Sequence, residues 1–133
     1  MRERTASRLV WVAFACITLV VLGSQAVSVE AGVGADPTAV MILSFPIVGA
    51  LIASRQPGNA IGWIMLAVGV EEAISDILYI YAEYSLAIRP GSLPRPDLAL
   101  ALGAPTWVPF IGLMGTFLIL LFPDGRLASP RWR

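Results

Sequence analysis

The chain is organised as four apolar segments separated by short polar connections. The segments lie at about residues 9–29, 38–54, 61–84 and 105–122. Each is close to the length that a helix needs to cross the hydrocarbon core of a bilayer, about 20 residues with a range of roughly 17–25. Their apolar residues form continuous runs, which disfavours a transmembrane β-barrel. Because every backbone polar group in lipid needs an internal partner, the pattern predicts four transmembrane helices.

The connections contain residues that start and end helices. Asp36 followed by Pro37 is typical of an N-cap and a first helical position, so it predicts the start of the second helix. Asn59 is placed to cap the third helix. Residues 97–103 are apolar and precede the fourth span, and we expect them to form an interfacial helix. The predicted fold is an all-α membrane protein, with residues 1–133 as a single module of four up-and-down helices.

Composition supports a membrane protein and excludes several functions. The 133 residues are 57% hydrophobic and 14% charged, with a mean hydropathy of +0.78. A soluble domain of this size exposes too much surface to hide so many apolar side chains. The net charge is zero, which gives no basis for nucleic-acid binding. The chain has no histidine, a single cysteine (Cys16), no nucleotide-binding loop and no metal-ligand cluster, so we expect neither an enzyme nor a cofactor.

The distribution of arginine predicts which ends face the cytoplasm. In a four-helix alternation, one side receives seven of the nine arginines: three before the first segment, Arg55, and three after the fourth. The other side receives Arg89 and Arg95. Basic residues in short loops favour the cytoplasmic side. Both termini are therefore expected inside, in a multi-pass protein of the bacterial inner (plasma) membrane.

The first segment has a second interpretation, as a cleaved signal peptide. An arginine-rich start, an apolar core and the small-x-small sequence Ser24-Gln25-Ala26 fit that pattern, and the apolar run before Gly23 has only about 14 residues. Residues 27–29 extend the segment to spanning length, however, and favour a retained helix. Cys16 lacks a lipobox because Phe14 stands where a small residue is needed, and it is expected to be a plain thiol within the membrane.

The third segment contains four acidic residues within an apolar helix. Glu72, Asp76, Tyr79 and Glu83 are spaced by four, three and four residues and so share one helical face, with Glu71 about 100° away. A charge near the bilayer centre costs about 2.5–3.5 kcal/mol on insertion scales and marks a candidate functional site. The face is either a proton- or cation-responsive surface in the bundle interior, or a set of protonated or hydrogen-bonded carboxyls with a structural role.

Two further features bear on helix packing. Pro46 in the middle of the second segment removes a backbone hydrogen bond and is expected to kink that helix. Small residues four positions apart, Gly49 with Ala53 and Gly69 with Ala73, allow helices to approach closely.

Two stretches resemble motifs of a known membrane region. Residues 55–63, RQPGNAIGW, fit an R-x-P-x-N-x-I-G-W pattern, and residues 121–132, LFPDGRLASPRW, fit an L-F-P-D-G-R-L-x-S-x-R-W pattern. Together they resemble the N-terminal multi-pass membrane region of a group of bacterial sensor histidine kinases, which integral membrane proteins of unknown role share, over about residues 40–133. The motif positions are Arg55, Pro57, Asn59, Gly62, Trp63, Phe122, Pro123, Asp124, Gly125 and Arg126.

The resemblance implies a membrane module that senses or anchors and has no catalytic activity itself. Family members continue into more spans and a cytoplasmic kinase core, whereas this sequence ends at Arg133 and lacks histidine, so we expect a fragment, a truncated reading frame or a stand-alone remnant. The implied partners are the lipid bilayer, a second copy of the chain, or a missing kinase portion, and no particular signal is indicated. The alternative is a small transporter- or channel-like subunit that uses the acidic face of the third helix.

Overall fold

A computed structural model describes residues 2–122, and this range is helical apart from its connecting turns. The helices are α1 (Arg2–Glu30), α2 (Pro37–Ile42), α3 (Ser44–Arg55), α4 (Ala60–Glu83), α5 (Pro96–Gly103), α6 (Trp107–Ile111) and α7 (Ile119–Leu121), with π-helical segments at Tyr84–Ile88 and Gly112–Leu118. No strand occurs between residues 2 and 122. The prediction of an all-helical chain is confirmed for this range.

Three helical stretches are long and apolar enough to cross a membrane. They are Thr5–Glu30, Pro37–Arg55 and Pro96–Leu121, and they overlap the first, second and fourth predicted segments. The 24 residues of α4 give sufficient length, but its acidic residues keep it outside this group. On length and composition, residues 2–122 therefore form a membrane protein with three candidate spans.

The second apolar segment consists of two helices, α2 and α3, separated at Leu43. Asp36 is the N-cap of α2, with Pro37 as its first residue, as predicted. Pro46 follows the interruption by three residues. A proline lacks the backbone N–H and its ring crowds the carbonyl four residues earlier, which here belongs to Ile42, the last residue of α2. The break at Leu43 therefore lies next to Ile42, the residue whose carbonyl group the Pro46 ring crowds.

Helices α1, α3 and α4 form the hydrophobic core. Ser24, near the end of α1, meets Asp76 in the second half of α4. Ile17 and Gly69, both earlier in their helices, line one small cavity, so these two helices run in the same direction. The close approaches between α3 and α4 instead show that those two are antiparallel. The buried core residues are Val10, Ile17 and Val21 of α1, Ala39 and Leu43, Ala50 and Ala53 of α3, and Leu66 and Ala73 of α4.

Glycines allow α3 and α4 to pack with their backbones in contact. A Cβ atom on Gly62 would lie 2.6 Å from the Ala53 nitrogen, and one on Gly49 would lie 2.8 Å from the Gly62 carbonyl oxygen. A Cβ atom on Gly69 would lie 2.7 Å from Pro46 Cβ. These spaces exclude any side chain. Gly49 and Ala53 therefore form the close contact that their spacing suggests, and Gly62 is their partner on α4.

The last helical stretch is attached to the bundle mainly at its beginning. Ala99 of α5 is buried, and a Cβ atom on Gly103 would lie 3.4 Å from Leu78 Cβ of α4. None of the residues from Trp107 to Leu121 is buried. α5 matches the predicted helix at 97–103 to within one residue. Pro123, Asp124, Gly125 and Arg126 of the second motif lie outside the described residues.

Candidate functional site

Two acidic residues of α4 border an internal cavity. Glu72 and Asp76 line a space of about 70 Å³, where α1, α2, α3 and α4 meet. This volume has room for about two water molecules. Asp36 and Thr38 complete its polar border. Its apolar wall consists of Ile17, Val21, Ala39, Ile42, Leu43, Pro46 and Gly69.

A hydrogen bond connects Asp76 to α1. Ser24 Oγ lies 3.0 Å from Asp76 Oδ2 and 2.8 Å from the Val21 carbonyl oxygen. Ser24 is buried, with 8% of its surface exposed. Nothing in the sequence pairs these two residues, because a serine in an apolar helix does not indicate which neighbouring helix it faces. From the sequence, Ser24 also fits the alternative of a signal-peptide cleavage site, and its contact with α4 emerges only from the packing.

Asp36 borders the cavity from the connection between α1 and α2. Its Oδ1 accepts hydrogen bonds from the Thr38 hydroxyl at 2.7 Å and the Thr38 amide at 2.8 Å. The Asp36 amide in turn donates to Gln25 Oε1 at 2.7 Å. The two hydrogen bonds from Thr38 lower the pKa of the Asp36 carboxyl below its ordinary value of 3.8. Asp36 therefore carries a negative charge at neutral pH.

Tyr79 and Glu83 do not border this cavity. Tyr79 is 63% exposed and lies with Ser75 beside a groove of about 220 Å³ between α4 and α5. The Oε2 atom of Glu83 is buried and has no hydrogen-bond partner within residues 2–122. The four residues that share a helical face by their spacing are thus divided by the neighbouring helices. Glu72 and Asp76 are brought together, and the other two are not.

Glu71 faces a different neighbour from Glu72. Its Oε2 atom is buried and has no hydrogen-bond partner within residues 2–122, and its carboxyl group lies near Thr106, in the turn before α6. The Thr106 hydroxyl lies 3.1 Å from Ser75 Oγ and donates to the Gly103 carbonyl oxygen at 2.7 Å. α4 therefore makes polar contacts on two sides, with α1 through Asp76 and with the α5–α6 turn through Ser75.

The first sequence motif forms the connection between α3 and α4. Asn59 Oδ1 accepts the Ile61 amide at 3.0 Å, which confirms Asn59 as the N-cap of α4. Trp63 Nε1 donates to the Pro57 carbonyl oxygen at 2.9 Å and ties the first turn of α4 to the loop. Arg55 is the last residue of α3. These motif positions shape a tight helical hairpin, and their contacts are structural.

The connection after α4 is folded back onto the helix end. Ser85, 2% exposed, donates from Oγ to the Leu93 carbonyl oxygen at 2.9 Å, and the Leu93 amide lies 3.3 Å from the same Oγ. The Tyr81 hydroxyl donates to the Pro94 carbonyl oxygen at 2.8 Å. The loop is therefore anchored to α4 by side chains from two successive turns.

Metal chemistry finds no support in the part of the chain that the structure describes, since no group of three or more His, Cys, Asp or Glu side chains there is arranged to hold a metal ion. Cys16 is exposed on the surface of α1.

Comparison with known proteins gives no match: no protein-family model, no curated protein and no solved structure matches the chain. Membership of the histidine kinase group therefore stays a prediction from the two sequence motifs.

Proposed function

We propose that the chain is a four-span sensing or anchoring module, comparable to the membrane region of a sensor histidine kinase, and that it works through helix packing without catalysis. The observation that carries this proposal is the position of α4. It is hydrogen-bonded to α1 through Ser24, packed against α3 through Gly62, and linked to the α5–α6 turn through Thr106. A movement of α1, of α3 or of the α5–α6 turn would therefore shift α4.

In this proposal α4 also crosses the membrane, as the third of four spans in chain order. Its 24 residues give about 36 Å of helix at 1.5 Å per residue, against about 30 Å of hydrocarbon. Glu72 and Asp76 border the cavity, and Glu71 Oε2 is buried against protein. Acidic residues inside membranes are tolerated when they face protein or water in this way. The acids of α4 are thus compatible with a crossing helix.

Helix directions support an up-and-down arrangement with both termini on one side. α1 and α4 run in the same direction, and α3 runs opposite to α4. If each apolar stretch crosses the membrane once, residues 31–36 and 89–95 share one side and residues 56–59 share the other side with both termini. The excess of arginine then assigns the termini to the cytoplasm of a bacterial inner membrane.

A chimera tests the signalling part of the proposal. The chain is fused at its C-terminus to a histidine kinase core that lacks its own membrane region, and autophosphorylation is measured in membranes. Gly69→Ala places a Cβ atom 2.7 Å from Pro46, so α3 and α4 must shift, and we expect the kinase output to change. Gly23→Ala is the control, because its Cβ atom meets nothing within 4 Å. Equal output from the parent and both variants, at equal insertion, would mean that the module only anchors.

A second candidate function is a small transporter- or channel-like subunit. The observation that favours it is the cavity bordered by Glu72 and Asp76. Purified protein in vesicles that contain a pH-sensitive dye would then show proton flux under an imposed potential, and the Glu72→Gln/Asp76→Asn double variant would lose it. Flux no greater than that of empty vesicles would eliminate this candidate.

A further inference from the structure

The Ser24 hydroxyl touches two acceptors but has one proton to give. Its oxygen lies 2.8 Å from the Val21 carbonyl oxygen and 3.0 Å from Asp76 Oδ2. A carbonyl oxygen only accepts, so the contact with Val21 uses the serine proton. An ionised carboxylate also only accepts, whereas a protonated carboxyl has one O–H to donate. Both contacts are therefore full hydrogen bonds when Asp76 is protonated and donates to Ser24.

We propose that protonation of Asp76 controls the contact between α1 and α4. In the protonated state, Asp76 donates to Ser24 Oγ across the two helices, and Ser24 donates to the Val21 carbonyl oxygen within α1, so one hydrogen bond joins the helices and a second fixes the Ser24 hydroxyl. When Asp76 releases its proton to water in the cavity, the Ser24 O–H turns to the carboxylate and the Val21 contact is lost. This inference goes beyond the proposed function because it names the group whose charge changes the helix contact.

The charges around Asp76 give its ionisation a mechanical consequence. Glu72 on α4 and Asp36 at the start of α2 are the charged groups that act on it, and both are acidic. α1 contributes the neutral Ser24, and the residue that α3 contributes to the cavity wall is Pro46. Within residues 2–122, no basic residue borders the cavity. A negative charge on Asp76 is therefore repelled by ionised Asp36, whose backbone amide donates to Gln25 of α1, and α4 is pushed away from the corner where α1 meets the start of α2.

The cavity provides the route by which the proton is exchanged. Asp76 borders it together with Glu72, and Asp36 extends its border to exposed surface. Its volume of about 70 Å³ accommodates about two water molecules. Proton transfer to water in this space requires no opening of the hydrophobic core.

Cys16 offers a reporter for this contact. It is the single cysteine of the chain, it is exposed, and it borders an apolar groove between α1 and α4 together with Ala73 and Ile77. An environment-sensitive fluorophore on Cys16, in nanodiscs of uncharged lipid, therefore responds to the separation of the two helices. Emission is recorded from about pH 4 to pH 9, a range that spans ordinary and strongly perturbed carboxyl groups.

The parent protein is expected to show one pH transition. Asp76→Asn should abolish it and hold the low-pH emission throughout, because an amide, like a protonated carboxyl, has both a donor and an acceptor. Ser24→Ala should reduce the transition, since the bridging hydroxyl is lost while the repulsion between Asp36 and ionised Asp76 remains. Ser24→Thr retains a hydroxyl and should restore it. Glu83→Gln, outside the cavity, is the control and should behave like the parent.

Three results would overturn the proposal. The first is a parent emission that does not change with pH. The second is a transition of parental amplitude in Asp76→Asn or in Ser24→Ala, with far-UV circular dichroism showing that the variant is folded. The third is a transition that disappears in Glu83→Gln as well, which would show that the response belongs to carboxyl groups in general.

Discussion

At the scale of single residues, helix starts are the best-determined features of the chain. Asp36 and Asn59 both have extended backbone conformations, and each accepts the amide of the residue two positions later. This arrangement involves only neighbours in the sequence, and it satisfies amide groups that the first helical turn leaves free. Both caps were therefore predictable from the sequence, and both are confirmed.

The N-cap at Asp36 makes part of the free energy of unfolding dependent on pH. Because hydrogen bonds from Thr38 lower the pKa of Asp36 in the folded state, its stabilising contribution is complete above the ordinary value of 3.8. It is lost as the pH falls through the lower folded-state pKa. Asp36→Asn still accepts from Thr38 but does not titrate, so thermal unfolding in detergent from about pH 5 to pH 2.5 should show a weaker acid response than in the parent. Identical acid responses would contradict this assignment.

At the scale of helices, the α3–α4 hairpin depends on the absence of side chains at its contact. Gly62→Ala would place a Cβ atom 2.6 Å from the Ala53 nitrogen, so the backbones must separate. We expect a loss of about 1–3 kcal/mol, as for other overpacked interiors. The matched control is Gly23→Ala in α1, where the space is open and alanine favours the helix by up to about 1 kcal/mol. Thermal unfolding in detergent measures both, and equal Tm values would refute the close contact.

The same helices show where prediction from sequence ends. The spacing of Glu72, Asp76, Tyr79 and Glu83 correctly describes positions around one helix, but it contains no information about which helix lies opposite each position. α1 and the start of α2 cover Glu72 and Asp76, while Tyr79 stays exposed. The Ser24–Asp76 pair joins residues 52 positions apart, so no local pattern reports it. By contrast, the interruption at Leu43 follows from Pro46, which acts on a carbonyl only four residues away.

At the scale of the whole molecule, α1 is part of the folded core. It contributes Val10, Ile17 and Val21 to the same cluster as α3 and α4, and it continues as a helix through residues 24–26 to Glu30. Ser24 and Gln25 both make contacts outside α1. Cleavage after Ala26 would remove these core residues and leave Asp76 without its α1 partner. Retention of the first segment as a helix stays a prediction, and these contacts are what its removal would cost.

The proposed topology can be tested with reporters at three connections and at the C-terminus. Gly34 and Gly91 lie in exposed turns with φ of 94° and 78°, where an insertion interrupts no helix, and Gly58 lies in the exposed turn between α3 and α4. We expect phosphatase fusions to be active at Gly34 and Gly91, and cytoplasmic reporters to be active at Gly58 and the C-terminus.

The decisive position is Gly91, because it lies beyond α4, the helix whose acidic residues distinguish it from the other spans. If α4 does not cross, Gly91 and Gly58 report the same side, and the four-span proposal is wrong. An external C-terminus, or an N-terminus processed after Ala26, would refute the proposed orientation as well.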